Sequence, residues 1–85
     1  MANVLIYTTQ WCPYCVKAKA LFKKLEQEYI DINIETEPER RKEMEEKAPG
    51  VSSVPQIFIN ETHVGGCDEL YALHEKGQLK PMLAR

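Results

Sequence analysis

Trp11-Cys12-Pro13-Tyr14-Cys15 is the stretch from which the rest of the chain can be read. Two cysteines with two residues between them, after the apolar run Val4 to Tyr7 and at the opening of a helix-like pattern, have the spacing of a redox-active dithiol. Pro13 explains the spacing. A proline at the first helical position loses no hydrogen bond, which puts Cys12 at the N-cap and Cys15 one turn in, within disulfide reach. Cys12 then meets the free amides and the positive dipole end of the helix, which favour thiolate over thiol.

A low thiol pKa has two opposed effects on exchange. Lowering it from about 8.5 to about 5 raises the thiolate fraction at pH 7 roughly 30-fold. A Brønsted coefficient of about 0.4–0.5 lowers intrinsic nucleophilicity roughly 25- to 60-fold over the same interval. The two nearly cancel for attack, and the clear gain is in leaving ability. The site reads as one built for exchange rather than durable bonding.

Outward from the motif, Ala2 to Thr8 reads as a short central strand buried on both faces. From Pro13 the apolar residues Cys15, Ala18, Leu21, Phe22 and Leu25 recur at helical period, with lysines largely opposite. Cys15 therefore lies on the core face, and Cys12 at the tip is expected toward solvent, as nucleophile to a sheltered partner. Ile30, Ile32 and Ile34 alternate with Asp31 and Asn33, a half-buried strand that a right-handed crossover sets parallel to the first. Thr36 and Glu39 read as a capping box for a charged helix that runs to Lys47 and stops at Pro49-Gly50. Pro55 precedes a strand over Gln56 to Ile59, Asn60-Glu61 turns it into Thr62 to Val64, and Gly65-Gly66 ends the hairpin. A third helix starts at Cys67-Asp68 and closes at Gly77, and Leu79 to Leu83 packs as a tail. The order is βαβαββα, in one domain over residues 1–85.

Composition narrows the function. The chain has 85 residues, a formal net charge of -2 and 28% charged residues, so no basic excess points to nucleic acid. No cationic leader precedes Val4 and no apolar run approaches ~18 residues, so neither signal peptide nor membrane anchor is expected and the protein reads as cytoplasmic. Three cysteines fit a catalytic pair plus one further thiol better than a secreted disulfide framework.

Cys-Pro-Tyr-Cys after the first strand, Ser53-Val54-Pro55 before the third, and Gly65-Gly66-Cys67-Asp68 before the last helix together resemble the dithiol glutaredoxins of the thioredoxin superfamily, in their short bacterial form. The likeness spans essentially the whole chain. It implies a thioredoxin-like α/β fold, a four-stranded mixed sheet with helices on both faces, and a glutathione-dependent thiol-disulfide oxidoreductase serving electron transport and cell redox homeostasis. It implies Cys12 as nucleophile, Cys15 as resolving thiol and a cis peptide between Val54 and Pro55. Glutathione is the implied cosubstrate, with no tightly bound cofactor and no metal. Glutathionylated and disulfide-bonded proteins are the implied clients, ribonucleotide reductase among the candidates, and the chain is expected to be a monomer.

The glutathione groove implied by the resemblance has a physical basis in the residues at those places. Pro55 presents no N–H to the sulfurs and leaves the Val54 backbone to pair with an extended tripeptide. The amides of Cys67 and Asp68 suit the γ-glutamyl carboxylate, the Asp68 carboxylate suits its ammonium, and Tyr14 and Ser53 would line the groove. Many members of the family carry a lysine three residues before the nucleophile for the glycyl carboxylate, where this chain has Thr9. Arg40 or Arg41 is the substitute on offer.

Two other readings share these residues. One is a redoxin reduced by thioredoxin reductase or another low-molecular-weight thiol, which the Thr8-Thr9-Gln10-Trp11 lead-in keeps open. The other is an iron-sulfur or zinc carrier, with His63 and Cys67 completing a set begun by Cys12 and Cys15. Pro13 and the core-facing helix behind Cys15 replace the knuckle turn of structural zinc sites, which favours redox chemistry.

Overall fold

Alternation of apolar side chains along two short strands builds the molecule. In the computed structural model, which describes residues 2–50 and 53–84, β1 (Val4–Thr8) and β3 (Gln56–Ile59) lie antiparallel at the centre of one sheet. Val4, Ile6, Ile57 and Ile59 point to one face and Tyr7 and Phe58 to the other. The remaining strands are β2 (Ile30–Asn33), parallel to β1, and β4 (Thr62–Gly65), antiparallel to β3, giving the order β2-β1-β3-β4. This is the four-stranded mixed sheet expected.

Each face takes its own helices. Ala18, Leu21 and Phe22 of α1 (Pro13–Lys24) and Leu70 of α3 (Cys67–Glu75) close over the first face, where Phe22 and Leu70 are fully buried. The second face is thinner. Met44 of α2 (Glu39–Lys47) and the adjoining Ala48 cover Tyr7, Ile32, Ile34 and Phe58. Burying Phe22 or Met44 in this way contributes about 1.5–3 kcal/mol each, a sizeable share of what a domain this small retains. Leu79–Leu83, expected as a tail, forms a short helix, α4, anchored by the buried Leu79. Among the described residues no helix is long and apolar enough to cross a membrane.

Two local expectations are corrected. The capping box at Thr36 does not form: α2 begins at Glu39 with Pro38 as N-cap, and Thr36 Oγ1 instead donates to the Asn33 carbonyl. Asn33 has taken the turn, its Oδ1 accepting from the amides of Glu35 and Thr36, because an Asx side chain so placed competes for the same donors. In β2 the alternation fails at Ile30, which stays 56% exposed on a strand that lies at the sheet edge.

Helices α1 and α3 end the same way with different residues. After α1, Glu26 N–H bonds to the Lys23 carbonyl and Gln27 N–H to the Phe22 carbonyl, with Glu26 at φ +56°. After α3, Gly77 N–H bonds to His74 and Gln78 N–H to Leu73, with Gly77 at φ +71°. Both are Schellman closures, and only the second has the residue that adopts this conformation without a Cβ penalty. Glu26→Gly is therefore expected to stabilise the fold by about 1 kcal/mol, a rise in Tm of about 4–8 °C by calorimetry. An unchanged or lower Tm would contradict this account of the α1 terminus.

Candidate active site

Strand β1 delivers the chain to the dithiol. Thr8, Thr9, Gln10 and Trp11 carry it from the sheet to Cys12, whose backbone is extended (φ −125°, ψ 102°) while Pro13 opens the helix, so Cys12 is the N-cap. Its side chain takes the capping role, with the Cys15 amide donating to Cys12 Sγ at 3.1 Å. Negative charge developing on that sulfur during exchange is met by a backbone donor at the positive helix end. Cys12, Cys15 and Cys67 are all free thiols.

Cys12 is less open than its place at the helix tip suggests. It is 9% exposed against 1% for Cys15, and its thiol lies 3.9 Å from the Val54 carbonyl oxygen as a long donor contact. Val54, just before β3, lies against the helix tip, so the expectation of a solvent-facing nucleophile is corrected to that of a largely buried one. Trp11, Tyr14 and Val16, at 85%, 60% and 61% exposed, are the large apolar side chains left outside around it.

Cys15 is electrostatically distinct. Burial, followed by hydrogen bonding to Cys12, pushes its thiol up to about 12, against smaller opposing effects of the Thr9 backbone and Lys19. Lys19 is itself held by Asp31 at 2.9 Å, and Thr8 Oγ1 donates to the same carboxylate at 2.6 Å, which ties α1, β1 and β2 together beneath the motif. That bond raises the Lys19 pKa. Burial likewise raises the Cys67 thiol, with Lys17 opposing.

Beside the dithiol lies a cavity of about 170 Å³ that brings Tyr14, Ser53, Val54, Pro55, Cys67 and Asp68 to one place. The Val54–Pro55 peptide is cis, as the resemblance implied. Gln56, Gly66 and Glu69 complete the lining. Glu69 accepts from the Gly66 amide at 2.6 Å and lies so close to Gly65 that a Cβ there would come within 2.8 Å of its Oε1. Gly65 also has φ +117°, a conformation side-chain-bearing residues rarely adopt. A glutamate three residues past the helix-starting glycine was a legible signal for this contact. Gln56 left a fainter one, a polar residue at an inward strand position.

Thr9, Arg40 and Arg41 are not part of that lining. Arg40 is engaged by Glu43, through Nε to Oε1 and Nη2 to Oε2 at 3.1 Å each, and lies 3.7 Å from Glu37. Glu43 also accepts from the buried Tyr7 hydroxyl, and its carboxyl is held low by Arg40 first and Tyr7 second. Tyr7 is raised by burial and by this bond. Arg41 lies 4.0 Å from Glu45. His63 is turned to Gln56 and Phe58, and among the described residues no three His, Cys, Asp or Glu side chains gather as a metal site. Hollows of about 310 and 370 Å³ elsewhere are larger but are lined by no cysteine, so size does not mark the chemistry.

Comparison with known proteins agrees on one family. The glutaredoxin family profile matches residues 4–64. The chain is 49% identical over 84 residues to a glutaredoxin of Pseudomonas aeruginosa, covering 99% of each, and 47% identical over 83 residues to glutaredoxin 3 of Escherichia coli, covering 98% and 99%. The solution structure of a glutaredoxin from Brucella melitensis superposes with a TM-score of 0.83 at 48% identity, over 98% of this chain and 89% of that one. The buckwheat glutaredoxin-glutathione complex superposes with a TM-score of 0.89 at 30% identity, over 98% of this chain and 77% of that one.

The thiol differences are open to direct test. On the reduced protein at pH 8, iodoacetamide is expected to label Cys12 well before Cys15, whose pKa is raised, so its labelling grows about tenfold per pH unit and becomes prominent only as pH climbs toward 12. Peptide mapping across pH 7–10 measures this, and equal labelling of the two at pH 8 contradicts the assignment.

Proposed function

The chain belongs to the glutaredoxin family and is a thiol-disulfide oxidoreductase, and from that premise we propose that it works with glutathione, with Cys12 as nucleophile and Cys15 as resolving thiol in a single domain over residues 1–85. The observation that carries the reading is the Cys12 sulfur, capped by the Cys15 amide and set against the Val54 carbonyl at the edge of the cavity. That a similar protein, buckwheat glutaredoxin, is known as a complex with glutathione supports the choice of thiol.

In the monothiol route, Cys12 thiolate attacks the glutathionyl sulfur of a protein-glutathione disulfide. The S–S bond breaks, the client leaves as a thiolate that takes a proton from water, and glutathione stays on Cys12. The thiolate of a second glutathione attacks the same glutathionyl sulfur, giving glutathione disulfide and returning Cys12 as thiolate. The net change is one protein-glutathione disulfide and one glutathione thiol converted to one protein thiol and one glutathione disulfide, with Cys12 regenerated. The Cys15 amide receives the charge each time Cys12 departs.

In the dithiol route, Cys12 attacks a client disulfide and Cys15 resolves the mixed species, forming the Cys12–Cys15 disulfide that two glutathiones then reduce. Cys15 is slow to strike because burial keeps it protonated.

The tripeptide would lie extended along Val54, its γ-glutamyl end at the amides of Cys67 and Asp68 and the Asp68 carboxylate, with Tyr14, Ser53 and Pro55 around it. Thr9 brings no charge to the glycyl end, and Arg40 or Arg41 would substitute for the lysine by sharing the carboxylates they already face, Glu43 and Glu45. The missing lysine favours one second reading, reduction by thioredoxin reductase. Clients on either reading are glutathionylated and disulfide-bonded proteins, met by a monomer in the cytoplasm.

Coupled assays with glutathione, glutathione reductase and NADPH on a glutathionylated peptide test the division of labour. Cys12→Ser is expected to lose turnover by at least about a thousandfold, whereas Cys15→Ser keeps the monothiol rate within about threefold and loses protein-disulfide reduction. Equal loss in both contradicts the roles. Turnover sustained by thioredoxin reductase but not by glutathione would transfer the chain to the second reading.

A further inference from the structure

The Ser53 carbonyl beside the cavity is anchored from within. Gln56, only 4% exposed, donates from Nε2 to the Ser53 carbonyl oxygen at 3.0 Å and reaches Ser53 Oγ at 3.4 Å. A carbonyl can only accept, so this contact fixes which end of the Gln56 amide faces Ser53. Gln56 Oε1 is thereby turned to His63 Nε2 at 2.7 Å. An amide oxygen also only accepts, so His63 Nε2 carries the hydrogen and donates it. His63 is held in turn, its ring lying on Phe58 with centroids 4.9 Å apart and its backbone registered opposite Phe58 in the hairpin.

The consequence lies in the peptide plane. Among the described residues the only cis bond is Val54–Pro55, so Ser53–Val54 is trans and its N–H points opposite to its C=O. A Ser53 carbonyl fixed on Gln56 therefore turns the Val54 N–H away from Gln56. Val54 is the residue whose backbone the glutathione reading uses, and its own carbonyl already lies against the Cys12 sulfur.

We propose that Gln56, oriented by His63, is a positioning residue for substrate: it sets the plane of the Ser53–Val54 peptide and so aims the Val54 amide at the peptide-like ligand beside Cys12. The line of control runs from His63 Nε2 through the Gln56 amide and the Ser53 carbonyl to the Val54 N–H. It begins on an exposed residue of β4 and ends at the reacting sulfur's neighbour. This rests on the proposed glutathione function, since aiming Val54 matters to turnover only if an extended ligand lies there.

Two variants separate positioning from mere packing. Gln56→Leu keeps a side chain of similar size and removes all three contacts to Ser53 and His63, while His63→Phe keeps the ring on Phe58 and removes only the donor. With a glutathionylated peptide as substrate, KM is expected to rise about five- to tenfold in Gln56→Leu and about threefold in His63→Phe, as for one backbone hydrogen bond weakened, with kcat within about twofold. Because both lie on one line, the double variant should be no worse than Gln56→Leu alone. The 15N order parameter of the Val54 amide, measured by NMR without ligand, should fall in both variants, because the peptide plane is no longer held. Unchanged KM in both, or strictly additive losses, overturns the proposal. If the wild type fails to turn over the glutathionylated peptide, the functional reading falls, and the Val54 order parameter decides the relay: lower in both variants supports it, unchanged overturns it.

Discussion

A single hydrogen bond, from the Cys15 backbone amide to the Cys12 side-chain sulfur, is the constraint from which the rest of the site follows. It exists only because α1 starts at Pro13, which needs β1 to end at Thr8 and the intervening residues to turn the chain. The same bond separates the two thiols. It places Cys12 outside the helix with a donor aimed at its sulfur, and it leaves Cys15 inside the first turn, against a core that keeps it protonated. One local geometry thus gives a sulfur suited to leaving and a sulfur suited to waiting.

The sheet supplies the second half of the site. Because β3 lies antiparallel to β1, the loop that enters it arrives at the same end of the sheet as the loop that leaves β1, and Val54 meets Cys12 there. The α3 N-terminus arrives at that end too, since β4 returns the chain along β3. Tyr7, at the centre of the thinner face, ties β1 to α2 through Glu43, which Arg40 also holds. Positioning therefore comes from topology, and the cavity residues need little secondary structure of their own.

Much of this was legible in the sequence where one residue type permits one conformation. Pro13 fixed the helix start, Gly77 its counterpart at the end of α3, and the alternating Val4, Ile6, Ile57 and Ile59 the principal core face. The illegible parts are competitions decided by tertiary contact. Thr36 and Asn33 could each organise the turn before α2, and Asn33 won because β2 ends there. Arg40 reads as a free cation until Glu43, three residues on, is seen already holding it against Tyr7. Gln56 and His63 are seven residues apart, and only the hairpin brings their side chains together. The resemblance placed Val54 near the sulfurs, but the burial of Cys12 against the Val54 carbonyl belongs to the same class, since a helix tip read alone points to solvent.

The central claim is that Cys12 exchanges glutathione while the tripeptide lies along Val54. The most direct measurement is an intermolecular NOE spectrum of Cys15→Ser after reaction with isotope-labelled glutathione disulfide. The account predicts a glutathionyl group on Cys12 whose cysteinyl backbone contacts Val54 and whose γ-glutamyl end contacts Cys67 and Asp68. A glutathionyl group on Cys67, or one on Cys12 with no contact to Val54, would contradict it.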